Sequence, residues 1–416
     1  MTDRLYYTDP YLREFDATIA GATERDGRAL VTLDRTAFYP TSGGQPFDTG
    51  TLGGLPVIDV FDAEDGSVTH VLAPLAPRGA GPFGPAESAG PAGSGLQAGQ
   101  NVHGAIDWPR RFDHMQQHTG QHVLSAAFDH LFHVRTVSFH LGAAVSTIDL
   151  ARELPARDIA AAEDEANRIV WEDRPVKITF ADSADAARMP LRKESRREGQ
   201  LRLIDVDGFD LSACGGTHVA RTGAIGVIAI ASWDRFKGGQ RIEFLCGGRA
   251  LGRFRSLRDT SAAAMRLLSV SADELPPAVE RLQAEAKEHR HAIVGLQNEL
   301  ARYRADELAA SAESTDRGRI VLRAIDSDAN GLKSLAMAIA ARRGHAAVLA
   351  STSTPALVVV ARASDVKLEA NAVVAALTSR FGGRGGGKPE LAQGGGLNGT
   401  SDAILTAARE AVLTRA

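Results

Sequence analysis

The sequence predicts an α+β chain made of a small β-barrel, a mixed α+β segment, a long helical arm and a C-terminal α/β domain. Near the N-terminus, apolar and polar residues alternate between Gly and Asp turns. From residue 275 the apolar spacing becomes a heptad, and the last part of the chain alternates between strand and helix patterns. A length of 416 residues is enough for roughly two to four domains.

The N-terminal part, residues 1–104, carries four stretches that predict short strands of a small barrel or curled sheet. They are FDATIAGA, ALVTLDRTAFYP, LPVIDVFDA and VTHVLAP. Residues 75–100 are rich in Pro, Gly, Ala and Ser. Because that composition cannot build a core, we expect a flexible surface insertion there.

The next part, residues 105–255, mixes helix and strand patterns. Two helices are predicted, at DHMQQHTGQHVLSAAFDHLF and ARDIAAAEDEANRIVWEDR. Strands are predicted at AIDW, RTVSFHLGAAVSTIDL, VKITFAD, LRLIDVDGF, IGVIAIASWDRF and GQRIEFLCG. This segment is therefore predicted to be α+β.

A helical arm is predicted for residues 256–315. Apolar residues step by alternating fours and threes, with a histidine in the one missing position: Leu275, Val279, Leu282, Ala286, His289, Ile293, Leu296, Leu300 and Tyr303. This is a heptad seam, which fits either a coiled-coil or dimer contact or a helix packed on its own domain. The helix is expected to end near residue 310, and AESTDRG after it resembles a linker.

The C-terminal part, residues 316–416, alternates predicted strands (IVLRAID, HAAVLAST and ALVVVARA) with predicted helices (NGLKSLAMAIAARR and KLEANAVVAALTSRF). This order predicts a small α/β domain. It also contains FGGRGGGKPELAQGGG, a glycine-rich stretch at 381–396.

Composition limits the possible functions. The net charge of −4 excludes a global basic field for nucleic acid, so any such contact needs local basic patches. Cys214 and Cys246 are the two cysteines, which is too few for a disulfide framework, and a reducing, cytoplasmic setting is expected. The N-terminus lacks the apolar segment of a signal peptide. There is also no run of about 18 apolar residues, so no membrane association is expected.

Two pairs of metal-ligand residues are separated by about ninety positions. In HMQQHTGQH, His118 and His122 lie four residues apart on one helical face, and in CGGTH, Cys214 and His218 have the same spacing. Zinc favours four nitrogen and sulfur ligands, so the pairs together would close one His₃Cys site. The alternative is two unrelated features, surface histidines and a buried cysteine. His114, one turn earlier, is left without an assigned role.

Four ordered stretches resemble one known family: TAFYPTSGGQPFDTG, HTGQH, CGGTHVARTGAIG and GGRGGGKPELAQGGG. Together they resemble the editing and C-terminal domains of alanyl-tRNA synthetase. Because no aminoacylation domain precedes them, the chain looks like the long, free-standing AlaX type of trans-editing alanyl-tRNA deacylase. The resemblance covers nearly the whole chain except residues 75–100.

This resemblance implies hydrolysis of a wrong amino acid, chiefly serine and sometimes glycine, from tRNA(Ala). It implies one Zn²⁺ per chain, held by His118, His122, Cys214 and His218, in a zinc-binding domain beside a glycine-rich barrel. It also implies that the C-terminal domain binds tRNA and that the long form is a homodimer. The zinc could be catalytic or could mainly order the pocket, since four protein ligands leave no open position.

Candidates for orienting water or the serine hydroxyl are Thr41, Gln45 and His140. Thr41 stands where the family often has a glutamate, and the loop around it could alternatively be an ordinary hairpin turn. His140 lies on a predicted strand, where a satisfied core histidine is the alternative. An apolar synthetase pocket cannot strongly exclude one extra hydroxyl, which is the physical reason for a second sieve.

Local basic groups offer candidate RNA contacts, with a solvated charged face as the alternative. Arg110 and Arg111 precede the histidines of the predicted helix that carries His118 and His122, and Arg384 and Lys388 lie in the glycine-rich stretch. A third group precedes Cys214: Arg192, Lys193, Arg196, Arg197 and Arg202. The glycine-rich stretch could cradle phosphate through backbone N–H groups. It lacks the Ser or Thr after the lysine that a Walker A sequence requires.

Overall fold

The computed structural model describes residues 1–73, 95–193 and 199–414. The chain divides into two compact units, Met1–Ala262 and Ala263–Ala416. Most of the insertion predicted at 75–100 lies outside the described residues, as do Arg196 and Arg197. No helix in the described ranges is long and apolar enough to cross a membrane.

A closed six-stranded barrel begins the first unit, which confirms the predicted barrel. Two short strands, β1 (Asp3–Arg4) and β4 (Arg35–Thr36), pair in parallel beside it. The barrel order is β2-β3-β7-β6-β5-β8. Its strands are β2 (Glu14–Arg25), β3 (Arg28–Leu33), β5 (Gly50–Leu52), β6 (Leu55–Asp62), β7 (Val68–Leu72) and β8 (Asn101–Ile106). The alternating apolar residues of these strands point inward and form one core cluster.

Two sheets and a long helix follow the barrel. Helix α1 (Trp108–Phe132) begins at Asp107, whose side chain caps the N–H of Arg110. Its apolar face packs on α2 (Ala156–Trp171) and on a four-stranded sheet of order β14-β15-β10-β9. These strands are β9 (Thr136–Leu141), β10 (Ser146–Leu150), β14 (Ile228–Phe236) and β15 (Gly239–Cys246). A second sheet contains β11 (Val176–Asp182), β12 (Gln200–Val206) and β13 (Asp210–Ala213), with α3 (Ser183–Ala186) between β11 and β12.

Two helices occupy the predicted arm. Helix α4 (Gly247–Leu268) begins nine residues before the predicted boundary at 256, directly after β15. Helix α4 ends just before Ser269, which has a positive φ of 53°, and the next helix is α5 (Leu275–Ala310). Most of the heptad seam on α5 is exposed, at 41–72% for Val279, Leu282, Ile293, Leu296, Leu300 and Tyr303. Alanines at the end of α5 instead pack on the C-terminal domain: Ala301, Ala305 and Ala309.

The C-terminal domain is a six-stranded sheet of order β16-β17-β18-β19-β21-β20, with helices on both faces. Its strands are β16 (Glu313–Thr315), β17 (Gly318–Ile325), β18 (His345–Ser351), β19 (Ala356–Arg362), β20 (Arg384–Lys388) and β21 (Leu391–Leu397). Its helices are α6 (Ala329–Ala340), α7 (Ala370–Phe381) and α8 (Ser401–Thr414). Among the described strands of this sheet, β17 and β18 form a parallel pair and the other neighbours are antiparallel.

One prediction about this domain was wrong. The segment expected as a linker contains β16, which pairs with β17 and so belongs to the sheet. The glycine-rich stretch forms a hairpin of two paired strands, β20 and β21. Glycine is needed inside this hairpin because α7 packs close: a Cβ at Gly385 would lie 2.6 Å from Val374 Cγ1.

Candidate metal centre

Helix α1 and the turn after β13 bring four metal-ligand side chains together. His118, His122, Cys214 and His218 each offer one ligand atom, and these atoms all lie within 4.8 Å of one another. The Cys214 Sγ lies 3.3 Å from His118 Nε2 and 3.3 Å from His218 Nε2. The two pairs predicted from their spacing therefore meet at one centre. His114 is not part of this group.

Each of the three imidazoles has its Nδ1 atom held by a neighbouring side chain. His118 Nδ1 lies 2.8 Å from Gln45 Oε1, His122 Nδ1 lies 3.0 Å from Asp210 Oδ2, and His218 Nδ1 lies 3.2 Å from Thr119 Oγ1. A partner on one ring nitrogen fixes the orientation of the ring and leaves the other nitrogen as the ligand. The three rings are therefore preorganised with Nε2 available for a metal.

Gln45 is the contribution of the barrel to this centre. Ser42 and Gln45 exchange backbone hydrogen bonds of 3.2 and 2.9 Å around Gly43 and Gly44. Both glycines have positive φ, 53° and 80°, which is why this tight turn needs glycine. The buried Gln45 side chain also accepts from Thr217 N at 3.1 Å and donates to Thr217 Oγ1 at 2.8 Å. One side chain thus connects the barrel loop, α1 and the CGGTH turn.

Asp210 is the charged group behind His122. Its buried carboxylate accepts hydrogen bonds from Arg192 Nε at 2.6 Å and from Ser212 Oγ at 3.0 Å. Arg192, proposed from sequence as an RNA contact, is therefore committed to Asp210 with only 15% of its side chain exposed. Its role in the structure is to hold the carboxylate that orients His122.

The electrostatics of the centre favour a thiolate. Burial by itself raises the pKa of the Cys214 thiol, but the neighbouring His118 and His218 outweigh it and hold that pKa well below its usual range. Burial, together with the neighbouring His118, lowers the pKa of His218 to about 3. For His122, burial is outweighed by the hydrogen bond to Asp210, and the pKa rises to about 9. A divalent cation would be bound by a thiolate and imidazoles, the donor set typical of zinc.

The residues around the four donors fit such an ion. Three histidines and one cysteine match the number and kind of ligands that a tetrahedral zinc site needs. The donors are buried, apart from a partly exposed Cys214. Cys246, the other cysteine, is a buried free thiol outside the cluster, and burial raises its pKa far above the usual range.

The predicted catalytic residues are placed very differently. Gln45 lies at the centre, as described above. Thr41 is exposed at the rim of the barrel, just before the Ser42–Gln45 turn. His140 is an exposed residue of β9, and its neighbour Phe139 faces His118, with ring centroids 5.8 Å apart. Because side chains alternate along a strand, His140 points away from the cluster, and this position does not support a catalytic role for it.

His114 is a buried neighbour of the cluster. It is 2% exposed, and its Nδ1 has no hydrogen-bond partner among the described residues. Burial, reinforced by the nearby Arg110, lowers its pKa to about 4. The ring is therefore neutral at physiological pH.

The predicted RNA-binding arginines separate into buried and exposed groups. Arg111 is fully buried in an ion pair with Asp48, 2.9 Å from Nε to Oδ2, so its prediction as an RNA contact was wrong. Arg202 is 7% exposed and donates to the backbone oxygens of Cys214 and Gly216 at 2.7 and 2.9 Å, which corrects the same prediction. A partly exposed Arg110 donates to Phe47 O at 3.1 Å. The remaining candidates are exposed: Lys193, Arg384 and Lys388.

Three residues of the centre were missed from sequence: Asp210, Thr119 and Thr217. Thr119 and Thr217 stand inside HTGQH and CGGTH, directly beside a predicted ligand. A hydroxyl next to a ligand in both stretches was the available signal. Asp210 had no such local signal, because it is brought to His122 by the pairing of β12 and β13.

Comparisons with known proteins agree with this architecture. Residues 201–243 match the second additional domain of threonyl and alanyl tRNA synthetases, and residues 316–414 match the DHHA1 domain. The alanyl-tRNA editing protein AlaX-L of Pyrococcus horikoshii is 29% identical over 407 residues, covering 95% of this chain and 94% of that protein. The alanine–tRNA ligase of Methanoregula boonei is 32% identical over 426 residues, which cover 99% of this chain and 43% of the ligase.

The chain thus spans less than half the length of the alanine–tRNA ligases it matches. The C-Ala domain of Aquifex aeolicus alanyl-tRNA synthetase gives a TM-score of 0.23 at 20% identity, over 24% of this chain and 96% of that domain. So low a score does not establish a shared fold. The sequence relationships do establish that the chain is a homologue of the alanyl-tRNA editing protein AlaX-L, with the second additional domain of threonyl and alanyl tRNA synthetases and a DHHA1 domain.

Proposed function

We propose that the protein is a zinc-dependent aminoacyl-tRNA deacylase that hydrolyses the ester of serine, and of glycine, mistakenly attached to tRNA(Ala). The observation that carries this proposal is the gathering of His118, His122, Cys214 and His218 with every imidazole oriented by a side chain behind it. The near full-length relationship to an alanyl-tRNA editing protein supports the substrate class. The reaction serves translation, so we place the protein in the cytoplasm.

An aminoacyl ester needs little more than a polarised carbonyl and a positioned water. A zinc ion held by the four donors would supply Lewis acidity and would orient oxygen ligands. Gln45, Asp210 and Thr119 keep the imidazoles fixed, so that little reorganisation accompanies substrate binding. Cys214 acts as a ligand and not as a nucleophile, because its sulfur faces two imidazoles that the same ion would share.

Selection of serine requires a partner for its hydroxyl. We propose Thr41 for this role, because it is the exposed hydroxyl beside the turn that carries Gln45 to the centre. A site that hydrogen-bonds a substrate hydroxyl discriminates against alanine, which lacks it, whereas glycine would be admitted through its smaller size. Replacement Thr41→Val is expected to reduce the preference for Ser-tRNA over Ala-tRNA. An unchanged ratio of the two hydrolysis rates would contradict this role.

Contacts to the tRNA body are proposed for the partly exposed Arg110 and for the exposed Lys193, Arg384 and Lys388. Arg384 and Lys388 bracket β20, an edge strand whose middle residues carry no side chains. A Cβ at Gly386 would meet no described atom within 4 Å, so glycine there leaves the backbone open to a ligand. Arg384→Ala and Lys388→Ala should weaken tRNA binding and reduce its salt dependence.

A homodimer is proposed through α5. The apolar positions of its heptad seam stay exposed in the single chain, and a second copy would bury them. Sedimentation should show a dimer for the wild type. A Leu282→Glu, Leu296→Glu variant should be a monomer, and a dimer of unchanged affinity would contradict the proposed seam.

The competing function is a non-catalytic tRNA-binding protein with a structural zinc. It is favoured by the donor count, since four protein ligands would fill a tetrahedral site. The deciding experiment incubates the purified protein with Ser-, Gly- and Ala-tRNA(Ala) and measures release of each amino acid. We expect release of serine and glycine with Ala-tRNA(Ala) spared. Absence of release at micromolar protein that still binds tRNA would favour the non-catalytic function.

A further inference from the structure

Packing requires glycine at one of the two glycine positions of the CGGTH turn, but not at the other. At Gly216 a Cβ would lie 2.1 Å from His118 Cε1 and 3.0 Å from Gln45 Oε1, so the packing of the metal centre excludes any side chain. At Gly215 a Cβ would make only an ordinary contact, 3.5 Å from the hydroxyl oxygen of Tyr7. Gly215 also lies outside the left-handed region, so its backbone does not require glycine.

A glycine that neither sterics nor backbone conformation requires is typical of a place where a ligand approaches the main chain closely. Gly215 lies on the accessible side of the centre. His118, His122 and His218 are at most 4% exposed, whereas Cys214 and Gly215 are partly exposed. A substrate therefore reaches the centre over the Cys214–Gly215 side.

Tyr7 forms a wall of this approach. Its ring is partly exposed, and its hydroxyl lies beside Gly215. Arg202 connects the Tyr7 main chain to the turn: its Nε donates to the backbone carbonyl of Tyr7 at 2.9 Å, and its Nη1 donates to the backbone carbonyl of Cys214 at 2.7 Å. The guanidinium carbon lies 5.5 Å from the centroid of the Tyr7 ring. The spacing between an aromatic face and the metal centre is thus set in advance.

The neighbouring side chains suit a nucleic-acid end. Arg4 also lies against the Tyr7 ring, with its guanidinium carbon 5.7 Å from the centroid, and its charge is balanced by Asp62 at 2.7 Å. Phe180 stands opposite Arg202 in the pairing of β11 with β12 and is 43% exposed. Single-stranded RNA is bound by aromatic side chains that stack on its unpaired bases, with cationic groups close by.

We propose that the unpaired 3′ end of the RNA substrate docks across Gly215, with its terminal base stacked on Tyr7 and its ester delivered to the metal centre. This inference rests on the proposed deacylase function and adds to it the surface that receives the RNA terminus. Tyr7 is a substrate-binding residue in this arrangement, and Arg202 is the positioning residue that holds it.

The test compares Gly215→Ala with its matched control Gly216→Ala. Each variant is assayed for melting temperature, for zinc bound per chain, and for binding of an RNA hairpin that ends in CCA and carries serine through a non-hydrolysable 3′-amide. Gly215→Ala should keep the wild-type melting temperature and zinc content and bind the hairpin about tenfold or more weakly, because the added methyl displaces the terminus. Gly216→Ala should lose zinc.

Tyr7 provides an independent comparison. Tyr7→Ala should weaken binding of the same hairpin roughly 5- to 150-fold, the range for loss of one stacked base, while Tyr7→Phe retains the affinity. Unchanged binding by Gly215→Ala and Tyr7→Ala, or loss of zinc by Gly215→Ala, would overturn the inference. If those variants also release serine from Ser-tRNA(Ala) like the wild type, the deacylase function stands and only the docking surface is wrong. A wild type that neither binds the hairpin nor releases serine would overturn both.

Discussion

Replacing Gln45 tests how far the barrel contributes to the metal centre. Gln45 is fully buried, and its amide makes three hydrogen bonds, to His118 Nδ1 at 2.8 Å and to the Thr217 N–H and hydroxyl at 3.1 and 2.8 Å. Leucine has nearly the same volume and removes all three. Gln45→Leu therefore leaves two buried donors, His118 Nδ1–H and Thr217 N–H, without an acceptor.

The size of the effect follows from those contacts. Each buried unsatisfied donor costs about 1–3 kcal/mol, so the unfolding free energy of the metal-free protein should fall by roughly 2–6 kcal/mol. Loss of the group that orients a metal-binding histidine typically weakens metal affinity about 10- to 100-fold. The first quantity is measured by urea denaturation, and the second by zinc competition against a chromogenic chelator.

Gln45→Glu is the matched control. A carboxylate keeps an acceptor for His118 Nδ1–H and Thr217 N–H, and its second oxygen can accept from the Thr217 hydroxyl in place of the lost amide donor. We expect Gln45→Glu to recover most of the roughly 10- to 100-fold loss of zinc affinity that Gln45→Leu causes. Equal zinc affinity of Gln45→Leu and the wild type would refute the view that the barrel loop organises the centre.

Three further predictions concern single side chains. Arg111→Met leaves the carboxylate of Asp48 buried and unpaired, so urea denaturation should show that the free energy of unfolding falls by about 3–5 kcal/mol. Adding Asp48→Asn to the same chain should restore part of this loss. A loss below about 1 kcal/mol would contradict the burial of this pair. Burial lowers the pKa of His70 in the barrel core to about 4. At His70 the unfolded chain therefore binds more protons than the folded chain between pH 6.5 and 4, and this residue should contribute a stability loss of about 3 kcal/mol as pH decreases through that range. A His70→Gln variant with the same pH dependence would argue against His70 as its source. His140→Ala should release serine from Ser-tRNA(Ala) at the wild-type rate, because His140 faces away from the cluster; a large loss would restore it as a catalytic candidate.

The barrel and the ligand pairs were predictable because both depend on local spacing. Alternation of period two indicates a strand with one buried face, and the four-residue spacing in HTGQH places both histidines on one helical face. Proximity of the two pairs to each other depends on tertiary structure, and it was the chemistry of zinc that suggested it. The pairing of β12 with β13 then brings Asp210 to His122, which no local pattern indicates.

The sequence predictions that the structure does not support share a physical cause. His140 and Phe139 are adjacent in VSFHLG, and a short strand pattern does not show which of the two faces the helix. Arg111 and Arg202 looked like surface cations, yet each guanidinium satisfies buried oxygen acceptors that come from distant parts of the chain. A sequence shows the charge of such a residue but not the carbonyl groups and carboxylates that fold around it. Segment β16 was misjudged because a three-residue strand carries too little pattern to be recognised before its pairing with β17 is known.

The most direct test of the central claim is a zinc titration of the metal-free protein in which bound zinc and serine release from Ser-tRNA(Ala) are followed in the same samples. The proposed site predicts that bound zinc and serine release rise together and level off at one zinc per chain. At the zinc concentration that saturates the wild type, Cys214→Ala should bind no zinc and release no serine. Serine release at full rate without bound zinc, or a wild type saturated with zinc that releases none, would contradict a zinc-dependent deacylase centred on His118, His122, Cys214 and His218.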